Sequence, residues 1–136
     1  MERHLEQITS LKNPRIKSAI KLRDKKERNL RSAFAFEGAR EISRAINSGF
    51  EIEELFCCES LLSREAKEVI LLVESSALVG ISEEVFAKMA TREKADGLWA
   101  VIRNKEMNLS DIQMPDSPLL LGVHGGEKPG NLGALF

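Results

Sequence analysis

Apolar and polar positions along the chain switch between a helical period and a strand period, and the switches mark out elements. Ile16, Ala19 and Ile20 form a short apolar stripe at helical spacing. Asn13 stands where an N-cap belongs and Pro14 suits the first helical position, so a helix is predicted from Pro14 to about Leu30. Ala33-Phe34-Ala35-Phe36 predicts a strand that ends at Glu37-Gly38. Arg40 to Asn47 predicts a helix with Ile42, Ala45 and Ile46 inward and Gly49 closing it. Leu55-Phe56-Cys57-Cys58 reads as a strand and Leu61 to Val73 as a helix. Ala77 to Ile81 is a further strand; Ser82 then caps a short helix with Glu83 and Glu84 in its first turn, where the macrodipole favours them. A polar loop from Thr91 to Gly97 leads into the strand Leu98-Trp99-Ala100-Val101-Ile102.

Strands alternating with helices define an α/β class with a largely parallel sheet expected. Residues 104–117, polar and containing Pro115, read as a linker after a domain of residues 1–103. Pro118 to Val123 is strand-like and runs into a turn rich in Gly and Pro, then into what reads as a first helical turn ending at Leu135-Phe136. A domain that stopped there would expose apolar side chains and leave backbone groups unpaired, so the chain is expected to be the front part of a longer protein.

At 136 residues the chain holds one ordinary domain, or a small domain and the start of another. An apolar share of 43% and a charged share of 30% fit a folded, water-exposed protein. No apolar run approaches the ~20 residues of a membrane span. The N-terminus Met1-Glu2-Arg3-His4-Leu5-Glu6 contains acidic residues and lacks the apolar centre of a secretory signal, so a cytoplasmic location is expected. Cys57 and Cys58, the two cysteines, are adjacent and form neither a redox pair nor a metal pair; the expectation is reduced thiols, at least one of them buried. His4 and His124 stand alone, so neither a metal site nor a Ser-His-Asp arrangement is expected.

Charge sharpens the picture. Residues 1–31 carry ten Lys and Arg against four Asp and Glu, a charge of +6, whereas the remainder carries ten against seventeen, −7. Lys17, Lys21, Lys25 and Arg28 recur at helical spacing. Such a face is either a solvated helix surface or a contact for a polyanion. Few aromatics accompany it, which points away from a base-stacking platform and towards backbone recognition of structured RNA. Gly125 and Gly130 have P-loop glycine spacing, but Asn131-Leu132 replace the Lys-Ser/Thr that would hold the phosphates, so a nucleotide P-loop is not expected. Glu37-Gly38 at a strand-to-helix junction and Trp99 between Leu98 and Ala100 both read first as structural.

Five segments together resemble the SpoU/TrmH family of RNA 2′-O-ribose methyltransferases. They are Ile8 to Lys17, Leu22 to Arg28, Phe34-Ala35-Phe36-Glu37-Gly38, Gly97 to Val101, and Lys128-Pro129-Gly130-Asn131-Leu132-Gly133-Ala134. The resemblance implies a three-layer α/β/α substrate-binding domain of ribosomal-protein type. The first strand and turn of a trefoil-knotted methyltransferase domain would follow at residues 118–136. It places Asn131 on the family's first catalytic motif, whose partner Arg would fall just beyond Phe136, and it implies S-adenosylmethionine for the full-length protein with none bound by this chain. The chemistry implied is attack of a ribose 2′-hydroxyl on the sulfonium methyl group, which needs in-line alignment and help in losing the hydroxyl proton.

Charge and resemblance together mark Asn13, Arg15, Lys17, Lys21, Arg23, Lys25, Lys26, Arg28, Arg31, Glu37 and Gly38 as candidate RNA contacts. The expected partner is structured RNA, rRNA or tRNA. The full-length protein is expected to be a homodimer and this fragment a monomer. Two other readings stay open: a stand-alone RNA-binding module of the ribosomal-protein type, and a protein-interaction domain whose basic helix meets an acidic partner.

Overall fold

In the computed structural model, which describes residues 7–91, 96–125 and 129–135, the basic segment is bent into a corner. Asn13 accepts from the Arg15 backbone N–H at 2.9 Å and starts α1 (Pro14–Lys21) as its sequence suggests. The single helix expected to about Leu30 is not formed: the chain breaks at Leu22-Arg23-Asp24 and resumes as α2 (Lys25–Arg31). Two residues cause the break. Leu22 turns inward and is buried with Ile16 and Ala19. Asp24 adopts an extended backbone and caps α2, accepting from the Lys26 N–H at 2.7 Å. A short carboxylate competes with helix interior geometry and favours the cap. Ser32, in the left-handed region at φ 49°, ends α2.

The strands are β1 (Gln7–Ile8), β2 (Ala33–Glu37), β3 (Ile52–Cys57), β4 (Leu78–Ile81) and β5 (Leu98–Arg103). They lie in one five-stranded sheet in the order β1-β4-β3-β5-β2. β4 pairs in parallel with β1 and β3, but β5 runs antiparallel to both its neighbours, β3 and β2. The sheet is therefore mixed, not largely parallel. The reason lies at one long-range junction: the Cys58 N–H donates to the Gly97 carbonyl at 2.9 Å, so the end of β3 meets the start of β5 and the two strands run in opposite directions. Residues 92–95 of the expected polar loop, and residues 126–128 and 136 of the expected final turn, lie outside the described residues.

Helices α3 (Ala39–Asn47), α4 (Arg64–Leu71) and α5 (Glu83–Met89) complete this unit, Met1–Lys105. Two apolar clusters form on opposite faces of the sheet. In one, Ile16, Ala19 and Leu22 join Val85, Phe86 and Met89 of α5 against Phe56, Val79, Trp99 and Val101. In the other, Ile42 and Ala45 of α3 join Ala66 and Val69 of α4 against Leu55, Leu98, Ala100 and Ile102. Adjacent strand residues face opposite ways, and Cys58 and Cys57 accordingly enter the first and second cluster respectively, both buried and both free thiols. Trp99 is buried, edge-on to Phe56 at 5.9 Å, as its apolar neighbours suggest.

Glu106–Phe136 forms a second unit. It contains a short 3₁₀ turn at Leu109–Asp111 and α6 (Pro129–Gly133), the latter where a helical turn is expected. Residues 118–124, expected to form a strand up to Val123, have no regular structure. Leu119 is 99% exposed. A strand needs a neighbour to satisfy its N–H and C=O groups, and apolar character alone does not supply one.

Candidate nucleic-acid interface

The corner between α1 and α2 sorts its cations by chemistry. Arg28 donates from one terminal nitrogen to the carbonyls of Leu22 at 3.0 Å and Arg23 at 2.7 Å, closing the end of α1. Arg23 donates to the carbonyls of Lys88 at 3.0 Å and Met89 at 2.8 Å, tying the corner to the end of α5. Arg31 donates to Ser18 and pairs with Glu53 on β3, and Arg15 pairs with Glu54 at 2.7 Å. A planar guanidinium with several fixed donors suits this bridging, as orphan helix carbonyls and carboxylates need directed partners.

The lysines do something different. Lys17, Lys21, Lys25 and Lys26 are all exposed and form no ion pair with any described residue. A mobile ammonium on a solvated stem is a point charge available to an external anion. The cations from Arg15 to Arg31 thus divide: the arginines hold the corner in shape, and the lysines carry charge outward from it.

Glu37 and Gly38 sit where β2 passes into α3. The Gly38 N–H donates to the Leu98 carbonyl at 3.0 Å, and Gly38 stands at φ 93°, a conformation that L side chains rarely adopt. Glu37 accepts from the Thr91 N–H at 2.8 Å and from its hydroxyl at 2.5 Å. Both residues therefore have structural work here, and Asp96 accepts from the Ala39 N–H at 3.3 Å in the first turn of α3. Asn13 caps α1 on the same basic segment, whereas Asn131 is exposed in α6 of the second unit.

A cleft of about 460 Å³ opens along β2, the edge strand, lined by Arg23, Arg28, Phe34, Phe36, Glu37 and Trp99 among others. Phe36 is 42% exposed beside it. Strand alternation puts Phe34 and Phe36 on one face, but only the sheet order reveals that this strand has a free edge.

Among the described residues no group of three His, Cys, Asp or Glu side chains comes together to hold a metal ion. In the second unit, among the residues whose exposure is described, all but Leu132 are exposed. No helix is long and apolar enough to cross a membrane among the described residues.

The element order and mixed five-stranded sheet define an α/β domain of the kind seen in SpoU-like methyltransferase structures. Residues 13–100 match the family model of the MRM3-like substrate binding domain, and the chain belongs to that family. The resemblance to SpoU RNA methyltransferases read from the sequence is borne out. A solved RNA 2′-O ribose methyltransferase is similar at 40% identity and a TM-score of 0.78, over 95% of this chain and 49% of that one. An rRNA methyltransferase from Sinorhizobium meliloti is similar in fold at 21% identity and a TM-score of 0.65, over 81% of this chain and 41% of that one. The SpoU methyltransferase AviRb from Streptomyces viridochromogenes, solved with AdoMet, is similar in fold at 20% identity and a TM-score of 0.64, over 76% and 40%. The chain spans about half the length of these structures or less. No curated protein sequence matches significantly.

Proposed function

We propose that this chain is the RNA-recognition part of an S-adenosylmethionine-dependent RNA 2′-O-ribose methyltransferase acting on structured RNA, rRNA or tRNA, in the cytoplasm. The observation that carries the reading is the α1–α2 corner, with Lys17, Lys21, Lys25 and Lys26 exposed and unpaired among the described residues, in a chain whose family is a substrate-binding domain. The lysines would lie against RNA phosphates, with Asn13 and the arginines of the corner supporting them and the Glu37-Gly38 junction close to the bound backbone. Residues 1–103 form a three-layer substrate-binding domain of ribosomal-protein type, 104–117 a linker, and 118–136 the start of a trefoil-knotted catalytic domain. Asn131 would belong to that domain's active site. Similarity to the RNA 2′-O ribose methyltransferase over 95% of this chain, past the residues of the family match, favours this reading over a stand-alone binding module.

Residues 1–136 by themselves bind RNA as a monomer and do not turn it over, whereas the full-length protein is a homodimer. The test is binding of this chain to a folded tRNA, a folded rRNA fragment and polyuridine across a range of salt concentrations. Preference for the folded RNAs is expected, with log affinity falling linearly against log salt. The combined K17Q/K21Q/K25Q/K26Q variant should flatten that slope by about 0.7–0.9 per lost phosphate contact. A slope that the variant leaves unchanged overturns the proposal.

A further inference from the structure

The cleft along β2 has the chemistry of a nucleobase receptor, and we propose that it takes one unpaired base of the bound RNA, stacked on Phe36. This inference rests on the RNA-recognition reading above and adds what the corner lysines cannot supply, a preference for unpaired nucleotides.

Phe36 is exposed but held in place. Its ring meets that of Phe34 edge-on at 5.2 Å and 72°, and Phe34 in turn meets Phe50 edge-on at 5.7 Å. An aromatic ring already braced by its neighbours loses little freedom when a base stacks on it, which favours binding. Every nucleobase has a π face, so such a platform accepts any of them. The cleft wall is also continuous with the basic corner. Arg23 and Arg28 line it, Arg23 lies two residues beyond Lys21, and Arg28 three beyond Lys25. The hydrogen bonds of Arg28 to described residues use only one of its terminal nitrogens, so its remaining N–H groups can donate to a base edge or a phosphate. Glu37 and Glu41 line the cleft as well as the two arginines. It therefore suits a nucleobase through the aromatic platform and directed donors and acceptors at the base edge, while the attraction for phosphate comes from the lysines of the adjoining corner. Bases in an A-form duplex are stacked and paired, so only a bulge, loop or end can offer one.

The test uses two RNA hairpins with the same stem, one fully paired and one with a single bulged adenosine, titrated at fixed salt against the chain and its Phe36→Ala and Phe36→Leu variants. Trp99, the single tryptophan of the chain, lines the cleft and gives an independent optical readout. We expect about tenfold tighter binding of the bulged hairpin, lost in both variants, in line with the measured cost of removing a stacking aromatic. Trp99 emission should change with the bulged hairpin and not with the paired one. Phe36→Leu keeps the apolar bulk, so its thermal melt separates loss of stacking from loss of fold. Equal affinity for the two hairpins, or variants that retain the preference, overturns the base receptor while leaving the RNA reading intact. Absence of salt-dependent binding to either hairpin overturns both.

Discussion

Arg31 on α2 reaches back to Ser18 on α1, donating to its hydroxyl at 2.9 Å and to its carbonyl at 3.3 Å. The same guanidinium meets Glu53 of β3 at 3.3 Å. α2 buries no residue of its own, so its attachment depends on polar ties of this kind more than on apolar burial.

That division between arginines and lysines can be measured. Arg31→Gln should lower stability by about 1–2 kcal/mol, the low end for hydrogen bonds to a charged group because Arg31 is partly exposed to solvent. In a domain of this size that is a fall in Tm of roughly 5–15 °C. Lys25→Gln should leave Tm within about 2–4 °C, since exposed substitutions stay near ±0.5 kcal/mol. Its effect should appear in the salt slope of RNA binding. Thermal melts and salt titrations on both variants check this, and a melt lowered equally by both would count against it.

Gly97 is a point where the fold admits no side chain. It stands at φ +69°, and a Cβ there would lie 2.8 Å from the Cys58 carbonyl oxygen and 2.8 Å from the Leu61 carbonyl carbon. Gly97→Ala is expected to cost about 2–3 kcal/mol through backbone strain and a clash with main chain that cannot move aside. Gly122→Ala, where a Cβ meets nothing within 4 Å, is the matched control and should melt like the parent. Similar melts for both variants would show that the β3–β5 junction can relax.

Burial, with a smaller contribution from the neighbouring Cys58, pushes the Cys57 thiol up from 9.0 to about 12. Well below pH 9 the thiol is neutral in both folded and unfolded chains and contributes no pH dependence. Between about pH 9 and 12 the unfolded chain releases this proton while the folded one retains it. The unfolded state then binds fewer protons, and stability falls as pH rises, by up to about 1.4 kcal/mol per pH unit. Urea unfolding from pH 8 to 11 on the parent and on Cys57→Ala should give a steeper decline for the parent. Parallel declines would mean that Cys57 ionises as freely when folded as when unfolded.

Much of the local structure was legible along the chain because caps and periodicity are local. Asn13-Pro14, Ser82 with Glu83 and Glu84, and the apolar runs at β3, β4 and β5 all stand where they were expected. The break between α1 and α2 also carried a signal: Asp24 followed by Glu27 is a helix-start pattern, masked by basic residues that continue at helical spacing through it. β1 escaped because two residues make no pattern; Gln7 and Ile8 are a strand only because Gly80 and Ile81 lie beside them. Residues 118–124 show the converse, being apolar like a strand but paired with no strand among the described residues.

By itself the sequence determined the α/β class, the placement of most elements, the concentration of cations near the N-terminus and the family to which the chain belongs. Each of these is written in neighbouring residues or in composition. Only the tertiary structure decided that β5 runs against β3 and β2, that β2 lies at the sheet edge with Phe36 beside a cleft, and that the corner arginines bond to carbonyls and carboxylates of the fold while the lysines form no ion pair with any described residue. Those outcomes depend on partners far away in the chain, such as Met89 for Arg23, Glu53 for Arg31 and Gly97 for Cys58. A side chain's period tells which way it faces, but its role is settled by what the fold brings within hydrogen-bonding distance.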